Sequence, residues 1–278
     1  MILDWKKLAQ KIYDDLKNEL KNSNKKYKLV AILVWKNSPS LRYIKQKEKW
    51  ANYVWIDFEL INFDLNVSQK EILDTMKKLN NDKKTTAFMV QLPLPKHLNQ
   101  EEIINEINPL KDADWFHPLN IWKLVLGDKN VLESCTPAWI IELLKDYNIW
   151  LTWKNFVIIW RSNIVWKPLA NLAINAWATV TICNRKTKNI EYFTKNADIV
   201  VVATWKPKLL KANMINKKTV VIDVWFSVEK WEVFWDCDFD EISKNGNLIT
   251  PVPGWVGPMT VAMLMKNVIK AWKIQEKN

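Results

Sequence analysis

Glycine, cysteine and histidine are all scarce in this chain. Its 278 residues include 4 glycines, 3 cysteines and 2 histidines, whereas an average chain of this length would contain roughly 19 glycines. The three cysteines are far apart and follow no metal-ligand spacing, which argues against a disulfide framework. Two histidines are too few for a histidine-based metal site, so we expect no metal.

Long apolar runs and blocks of one charge are absent as well. No stretch approaches the ~18 consecutive apolar residues of a transmembrane helix. The N-terminal segment carries acidic residues and lacks the apolar core of a signal peptide. The net charge of +11 comes mostly from lysines scattered among acidic residues, without a basic stripe interleaved with aromatic residues. We expect a cytoplasmic protein that binds neither membranes nor nucleic acid and whose field favours anionic small molecules.

Tryptophan is the residue in excess. The 18 tryptophans nearly match the glycine deficit. Many stand where a predicted strand or helix ends, a place that favours glycine because glycine tolerates a positive φ and close backbone approach. In the segment VIIWRSNIVWKPLA, Trp160 and Trp166 stand at the two ends of a predicted strand-to-helix turn.

Strand and helix patterns alternate along the chain, which predicts parallel α/β domains. KLVAILVW and TTAFMVQLPLP are predicted strands of the first domain, and Ser68 with Glu71 forms the capping box of a helix between them. Residues 108–122 are polar and irregular, which predicts a loop. A helix capped by Thr136 follows, with Pro137 in its first turn, and a second α/β run leads to a closing helix.

Nine short motifs follow one another from end to end of the chain. In order, they are YIKQK, VQLPLP, KDADWFHPLN, CTP, WRSNIVWKP, ATVTIC, ADIVVVA, VVIDV and TPVPGWVGPMTVAML. Together they resemble the bifunctional methylenetetrahydrofolate dehydrogenase/cyclohydrolase family. The resemblance implies two parallel-sheet α/β domains, the second Rossmann-like, with an active-site cleft between them. Residues 1–120 would form the folate-binding catalytic domain, on which the closing helix 258–278 packs, and residues 140–257 the NADP-binding domain.

The resemblance also implies a bifunctional enzyme of one-carbon metabolism. Such an enzyme oxidises 5,10-methylenetetrahydrofolate to 5,10-methenyltetrahydrofolate with NADP and hydrolyses the product to 10-formyltetrahydrofolate. Tetrahydrofolate derivatives would be its substrates, and a homodimer its oligomeric state.

Fifteen tryptophans stand where the family pattern has glycine. They are Trp5, Trp35, Trp55, Trp115, Trp122, Trp139, Trp153, Trp160, Trp166, Trp177, Trp205, Trp225, Trp231, Trp235 and Trp255. The hypothesis that explains this exchange is that UGA codons, read as glycine in the source, were translated as tryptophan. A chain that truly held bulky residues at so many such positions would accumulate costs of about 1–3 kcal/mol each.

Four residues of the first domain are candidates for the folate chemistry. Tyr43 and Lys47 are four apart on a predicted helix and therefore share one face. The resemblance assigns Lys47 as the general acid/base of the hydrolysis, Gln91 as the residue that orients it, and Tyr43 as a residue that stacks on or orients the substrate. Asp114 would hydrogen-bond the pterin edge, whereas Asp112 is expected to be structural.

The loop before the closing helix is expected to shape the folate site. The resemblance places Pro251, Gly254 and Thr260 near the substrate, and Thr260 is also expected to cap the closing helix.

The cofactor candidates lie in the second run. Backbone N–H groups between Trp160 and Trp166 would hold the pyrophosphate, and Ser162 can add a hydroxyl donor there. The following strand ends in Asn-Arg-Lys, without the acidic residue that favours NAD, so Arg185 and Lys186, together with Arg161, predict recognition of a 2′-phosphate and hence NADP. Phe226 would pack near the cofactor.

Three other functions stay open at this point. The chain could be a dehydrogenase-only or inactive member of the family, although Tyr43, Lys47, Gln91 and Asp114 are all present. It could be a basic nucleotide- or RNA-binding protein without catalysis, which would show steeply salt-dependent binding. It could be a tryptophan-rich carbohydrate-binding protein, but then its tryptophans should cluster on one surface.

Overall fold

The computed structural model describes residues 2–35, 38–160, 166–229, 232–251 and 257–277; of residues 38, 39, 226–229 and 232 it describes the backbone alone. Three candidate site residues, Arg161, Ser162 and Gly254, therefore lie outside the described residues. Within the described residues, no helix is both long and apolar enough to cross a membrane.

The chain divides into two compact units. The first, here called the lysine unit, comprises Ala9–Cys135 and Gly257–Asn278, and the second, here called the turn unit, comprises Met1–Leu8 and Thr136–Val256. The expected division of the chain assigned residues 1–8 to the first domain, whereas the structure places them with the second. The reason is local: the Leu3 N–H donates to the Ile249 carbonyl at 2.9 Å, and the Asp4 N–H donates to the Tyr147 hydroxyl at 2.6 Å.

Helices and strands alternate through both units. The strands are β1 (Tyr27–Val34), β2 (Ile56–Phe63), β3 (Ala87–Val90), β4 (Asn155–Trp160), β5 (Thr179–Cys183), β6 (Ile199–Ala203), β7 (Val220–Asp223), β8 (Phe226–Glu229) and β9 (Glu232–Trp235). The helices are α1 (Trp5–Lys21), α2 (Ser38–Tyr53), α3 (Gln69–Asn81), α4 (Gln100–Asn105), α5 (Pro118–Val125), α6 (Cys135–Asp146), α7 (Trp166–Asn175), α8 (Ile190–Lys195), α9 (Phe239–Lys244) and α10 (Gly257–Gln275), and residues Ala212–Met214 form a 3-10 helix.

The lysine unit is built on a three-stranded parallel sheet in the order β2-β1-β3. The central strand β1 is apolar and almost wholly buried, as expected for a strand covered on both faces. Helices α2 and α10 both contact β1. Ser68 accepts a hydrogen bond from the Glu71 N–H at 3.3 Å and begins α3, so the predicted N-cap is confirmed.

The turn unit is built on a four-stranded parallel sheet in the order β5-β4-β6-β7. The chain moves from β4 to β5 on one side and returns to β6 on the other side of β4. The strand order therefore reverses beside β4, and ligands of open parallel sheets bind at such a reversal, outside the carboxyl ends of the strands. At that edge β4 ends at Trp160, and the next described element, α7, begins at Trp166.

The loop predicted over residues 108–122 is partly wrong, because α5 occupies Pro118–Val125. The His117 ring nitrogen accepts a hydrogen bond from the Leu119 N–H at 3.1 Å and caps this helix. Proline at the first helical position completes the start. The polar residues that suggested a loop are thus the cap of a short helix.

Six tryptophans adopt the left-handed backbone conformation that favours glycine. They are Trp35, Trp55, Trp115, Trp153, Trp177 and Trp205, with φ between 56° and 69°. The left-handed region places Cβ against the neighbouring carbonyl and costs an ordinary residue about 1–2 kcal/mol. All six belong to the fifteen positions at which the family pattern has glycine.

Trp177 gives the clearest case, because it occupies a defined helix-terminating motif. After α7, the Ala178 N–H donates to the Ala173 carbonyl at 3.0 Å and the Trp177 N–H to the Ile174 carbonyl at 2.9 Å, which is a Schellman motif. The same pair of hydrogen bonds ends α5 around Gly127 and α9 around Gly246, both with positive φ. The corresponding residue after α6 is Asn148. Tryptophan therefore stands where this chain otherwise uses glycine or asparagine.

We expect Trp177→Gly to raise the free energy of unfolding by about 0.5–1 kcal/mol, because relief of the left-handed strain exceeds the added chain entropy of glycine. The Trp177 side chain is 79% exposed, so little packing is lost. The matched control is Trp150→Gly, which removes an indole that is 63% exposed from a residue without positive φ and should lower stability. Urea unfolding of both variants measures the difference, and a Trp177→Gly chain no more stable than Trp150→Gly would contradict this account.

Candidate active site

Lys47 is a buried lysine in the middle of α2. Only 6% of the residue is exposed. Its ammonium group donates to Gln91 Oε1 at 3.0 Å and contacts Met89 Sδ at 3.1 Å. The Gln91 amide is oriented by its own Nε2, which donates to the Leu92 carbonyl at 2.8 Å and leaves Oε1 to face the lysine. The end of β3 thus delivers an acceptor to the lysine of α2.

Asp114 is the carboxylate that faces this lysine. Its Oδ2 lies 3.9 Å from Lys47 Nζ, and its side chain is 19% exposed. Burial lowers the pKa of Lys47, and the charge of Asp114 opposes that shift. A lysine whose pKa is lowered by burial supplies more neutral amine near pH 7 than a solvated one, which is what proton transfer requires.

Asp112 has a structural environment, as the sequence predicted. It is fully buried and accepts hydrogen bonds from the Phe116 N–H at 3.2 Å, the His117 N–H at 2.8 Å and Asn120 Nδ2 at 3.1 Å. Burial raises its pKa to about 6, although these three donors favour the charged form. The carboxylate thereby fixes the turn that joins Asp114 to α5.

The remaining folate candidates are divided between the two units. Tyr43 lies four residues before Lys47 on α2 and is half-buried. Thr260 is the fourth residue of α10, so the expectation that it caps this helix is wrong: α10 begins at Gly257. Pro251, which is half-buried, belongs to the turn unit.

In the turn unit, Trp160 ends β4 and Trp166 begins α7. Their indole rings lie 4.7 Å apart, tilted by 56°. Both indole Nε1 atoms are buried without a hydrogen-bond partner among the described residues. Two bulky rings therefore lie close together, one from the strand end and one from the helix start, and each has a donor unsatisfied within the described structure.

The turn after β5 presents two cations to solvent. The Asn184 carbonyl accepts from the Thr187 N–H at 2.8 Å and its side chain accepts from the Lys186 N–H at 2.9 Å, which makes Arg185 and Lys186 the central residues of the turn. Both are exposed. Phe226 is the first residue of β8, and its side chain lies outside the described part of the structure.

Sequence reasoning missed three residues that organise these sites. Asp236 is fully buried and accepts the backbone N–H groups of residues 204–206, including Lys206 at 2.8 Å, so it holds the turn at the end of β6. Cys135 and Asn267 both contact the carbonyl of Ala113, the residue before Asp114. The Cys135 thiol lies 3.9 Å from it, and Asn267 Nδ2 donates to it at 2.9 Å. Their partners are distant in the chain, so no local pattern could have identified them.

Together, these features define a two-unit α/β protein with a buried lysine facing a carboxylate in one unit and a Rossmann-like parallel sheet in the other. The sheet has its order reversal beside β4, as in nucleotide-binding folds. This is the class of the cofactor-dependent oxidoreductases.

Comparisons with known proteins give the particular family. The family model described as the tetrahydrofolate dehydrogenase/cyclohydrolase catalytic domain matches residues 3–114, and that of the family's NAD(P)-binding domain matches residues 134–276. The chain belongs to the tetrahydrofolate dehydrogenase/cyclohydrolase family. The predicted family and the predicted pair of α/β domains are thus confirmed.

Relatives match over the whole length of the chain. The bifunctional protein FolD of Acetivibrio thermocellus is 42% identical over 280 residues, covering 99% of this chain and 98% of that protein. The crystal structure of the FolD methylenetetrahydrofolate dehydrogenase/cyclohydrolase from Campylobacter jejuni has a TM-score of 0.93 at 39% identity and covers 99% of each chain. The Trypanosoma brucei enzyme, complexed with NADP cofactor and inhibitor, has a TM-score of 0.89 at 29% identity and covers 100% of this chain and 99% of that one.

The protein is accordingly an enzyme with two activities, a methylenetetrahydrofolate dehydrogenase and a methenyltetrahydrofolate cyclohydrolase. These findings favour the bifunctional enzyme over a non-catalytic nucleotide-binding or carbohydrate-binding protein.

Proposed function

We propose that Lys47 is the general acid/base of the cyclohydrolase reaction on 5,10-methenyltetrahydrofolate. The observation that carries this proposal is the buried contact of Lys47 with Gln91 and Asp114. The neutral amine takes a proton from the water that attacks the one-carbon unit, and the resulting ammonium returns a proton to the ring nitrogen that leaves. The product is 10-formyltetrahydrofolate. Hydrolysis assayed with Lys47→Ala tests the proposal.

Gln91 and Asp114 have distinct roles in this proposal. The Gln91 carbonyl oxygen holds the amine at the end of β3, in line with the 3.0 Å contact. Asp114, partly exposed, can accept two hydrogen bonds from the amino-pyrimidine edge of the pterin while its charge acts on Lys47. Tyr43, on the same helix as Lys47, orients the substrate ring, and Pro251, Gly254 and Thr260 lie around it.

The dehydrogenase reaction needs less acid/base catalysis from the protein. NADP, when bound, accepts the hydride that leaves the one-carbon bridge of 5,10-methylenetetrahydrofolate. The nitrogen adjacent to that carbon supports the resulting cation, so positioning matters more than proton transfer. Lys47 is therefore dispensable for hydride transfer in this account.

NADP is the cofactor that fits the cations at the end of β5. Arg185 and Lys186 form an exposed pair that can bind a 2′-phosphate, and no acidic residue stands in that turn to bind a free ribose hydroxyl. Arg161 would join them at the 2′-phosphate, Ser162 would donate its hydroxyl to the pyrophosphate, and Phe226 would pack near the cofactor. By contrast, the indoles of Trp160 and Trp166 are a poor fit, because a phosphate turn needs close backbone approach.

We expect Arg185→Ala to raise the KM for NADP about tenfold, since a charge-assisted hydrogen bond to phosphate is lost. The KM for NAD should stay unchanged because NAD lacks the 2′-phosphate. Lys188→Ala removes the same charge from an exposed lysine just beyond the turn and is the matched control. An equal loss with NADP and NAD, or an equal loss in Lys188→Ala, would argue against this role of Arg185.

The poor fit of the indoles is resolved if tryptophan stands for glycine in the functional protein. The six positive-φ tryptophans support this hypothesis. So do the buried Nε1 atoms of Trp115, Trp139, Trp160, Trp166 and Trp225, which have no hydrogen-bond partner within the described part of the chain. A mass spectrum of the protein from its source that matched 18 tryptophans would refute it. The full chain with glycine at all 18 positions is called the glycine chain below.

The enzyme is expected to act in the cytoplasm, as its sequence predicts. The resemblance alone leads us to expect a homodimer. A solution mass of one chain, measured by light scattering at micromolar concentration, would contradict the homodimer.

A further inference from the structure

The Asn267 side chain is a buried amide on α10 whose contacts lead to the catalytic lysine. Only 5% of Asn267 is exposed. Its Nδ2 donates to the Ala113 carbonyl at 2.9 Å and to the Glu133 carbonyl at 2.8 Å, and lies 3.7 Å from Cys135 Sγ. Its Oδ1 accepts the Glu133 N–H at 3.5 Å. One amide thus bridges two segments that are far apart in the chain.

The Ala113 carbonyl belongs to the peptide group that joins Ala113 to Asp114. The Ala113 N–H, on its other side, donates to the Phe88 carbonyl of β3 at 3.2 Å. The backbone entering Asp114 is therefore fixed from β3 on one side and from α10 on the other. Met89 of β3 and Gln91, the residue just after β3, both contact Lys47, so the hydrogen bond of Ala113 to β3 links Asp114 to the strand that holds the lysine.

We propose that Asn267 is a positioning residue that holds Asp114 against Lys47 through the Ala113–Asp114 peptide group. This inference rests on the proposed roles of Lys47 and Asp114. In the described structure, the hydrogen bonds of Asn267 go to the segments of Ala113, Glu133 and Cys135, so we assign its action to the backbone. The buried Cys135 thiol, whose pKa burial raises well above its ordinary value, is a second donor to the same carbonyl and stays protonated.

The account predicts a specific defect in Asn267→Ala. Without the Asn267 hydrogen bond, Asp114 would move away from Lys47. Its negative charge would then raise the pKa of the lysine less. The kcat of the cyclohydrolase reaction should fall about tenfold, and the KM for 5,10-methenyltetrahydrofolate should rise. The part of the pH–rate profile that follows the ionisation of Lys47, here called the pH limb, should move to lower pH. The groups that act on this lysine are Asp114 and Cys135.

Gln275→Ala is the matched control on the same helix. The Gln275 amide also bridges two carbonyls, those of Thr86 and Leu110, both at 2.9 Å. This variant loses the same kind of hydrogen bonds within the same unit but leaves the Ala113–Asp114 peptide group anchored. It should lower the melting temperature and leave the KM and the pH limb unchanged.

The decisive measurement compares the cyclohydrolase rates of Asn267→Ala with and without Asp114→Asn. Both are measured in the tryptophan-containing chain and in the glycine chain. If Asn267 acts through Asp114, its loss should change cyclohydrolase by less than about twofold once Asp114 is already replaced. Independent losses that multiply, or an Asn267→Ala enzyme that differs from Gln275→Ala in nothing but stability, would overturn the proposal. Asn267→Ser, which keeps one donor, gives the same test if the alanine variant does not fold.

Lys47→Ala in the same assay distinguishes a failure of the proposed role of Lys47 from a failure of the positioning role of Asn267. Full hydrolysis by Lys47→Ala would remove the proposed function itself. Loss in Lys47→Ala with an intact pH limb in Asn267→Ala would overturn only the positioning role.

Discussion

Lys47→Ala is expected to lower the rate of hydrolysis of 5,10-methenyltetrahydrofolate by about a thousandfold, in the range that a positioned proton-transfer group contributes. The same variant should oxidise 5,10-methylenetetrahydrofolate within about tenfold of the parent rate, because hydride transfer needs orientation more than acid/base help. The two activities would then separate in one substitution. Following NADPH formation and loss of the methenyl absorbance in parallel measures both.

The control for this variant is a second buried lysine of the same unit. Lys111 is also 6% exposed, but its ammonium group donates to the carbonyls of Leu79 at 2.9 Å and Asp82 at 2.8 Å. Lys111→Met should lower stability and keep cyclohydrolase in the folded fraction. If Lys111→Met lost hydrolysis as completely as Lys47→Ala, the defect would come from a damaged unit and the role of Lys47 as acid/base would fail.

Replacement of both Trp160 and Trp166 by glycine is expected to raise kcat/KM for NADP about a hundredfold or more, equivalent to roughly 3 kcal/mol of binding. The physical reason is the bulk of the two indoles, which lie 4.7 Å apart on the last residue of β4 and the first of α7, where a pyrophosphate requires access to backbone N–H groups. Hydrolysis of added 5,10-methenyltetrahydrofolate should change little, since Lys47 lies in the other unit.

Trp150→Gly serves as the control for this pair. Trp150 belongs to the same unit as the pair and is 63% exposed, and its backbone has no positive φ. It should leave NADP kinetics unchanged. An equal gain in Trp150→Gly, or no gain in the double variant, would mean that the indoles do not obstruct the cofactor.

The parts of this site that sequence could predict are those set by local spacing. Tyr43 and Lys47 are one helical turn apart, so any helix over that segment places them on one face. The cap at Ser68 is local for the same reason. The strand that ends at Trp160 and the helix that begins at Trp166 are likewise predicted from local apolar patterns.

The parts that sequence could not predict depend on contacts between distant segments. Asn267 is 154 residues from Ala113, and nothing around it distinguishes it from a polar residue on the exposed face of a helix. Asp236 reaches back across some thirty residues to the turn at Thr204 and Lys206. Helix α5 was missed because a histidine cap and a proline resemble the polar residues of a loop.

The measurement that tests the central claim most directly is turnover by the glycine chain. It is supplied with 5,10-methylenetetrahydrofolate and NADP, and both NADPH and 10-formyltetrahydrofolate are followed. The account predicts that both products form, and that the tryptophan-containing chain forms less NADPH. A glycine chain that folds cooperatively yet makes neither product would contradict both the catalytic roles assigned to this site and the explanation of its tryptophans.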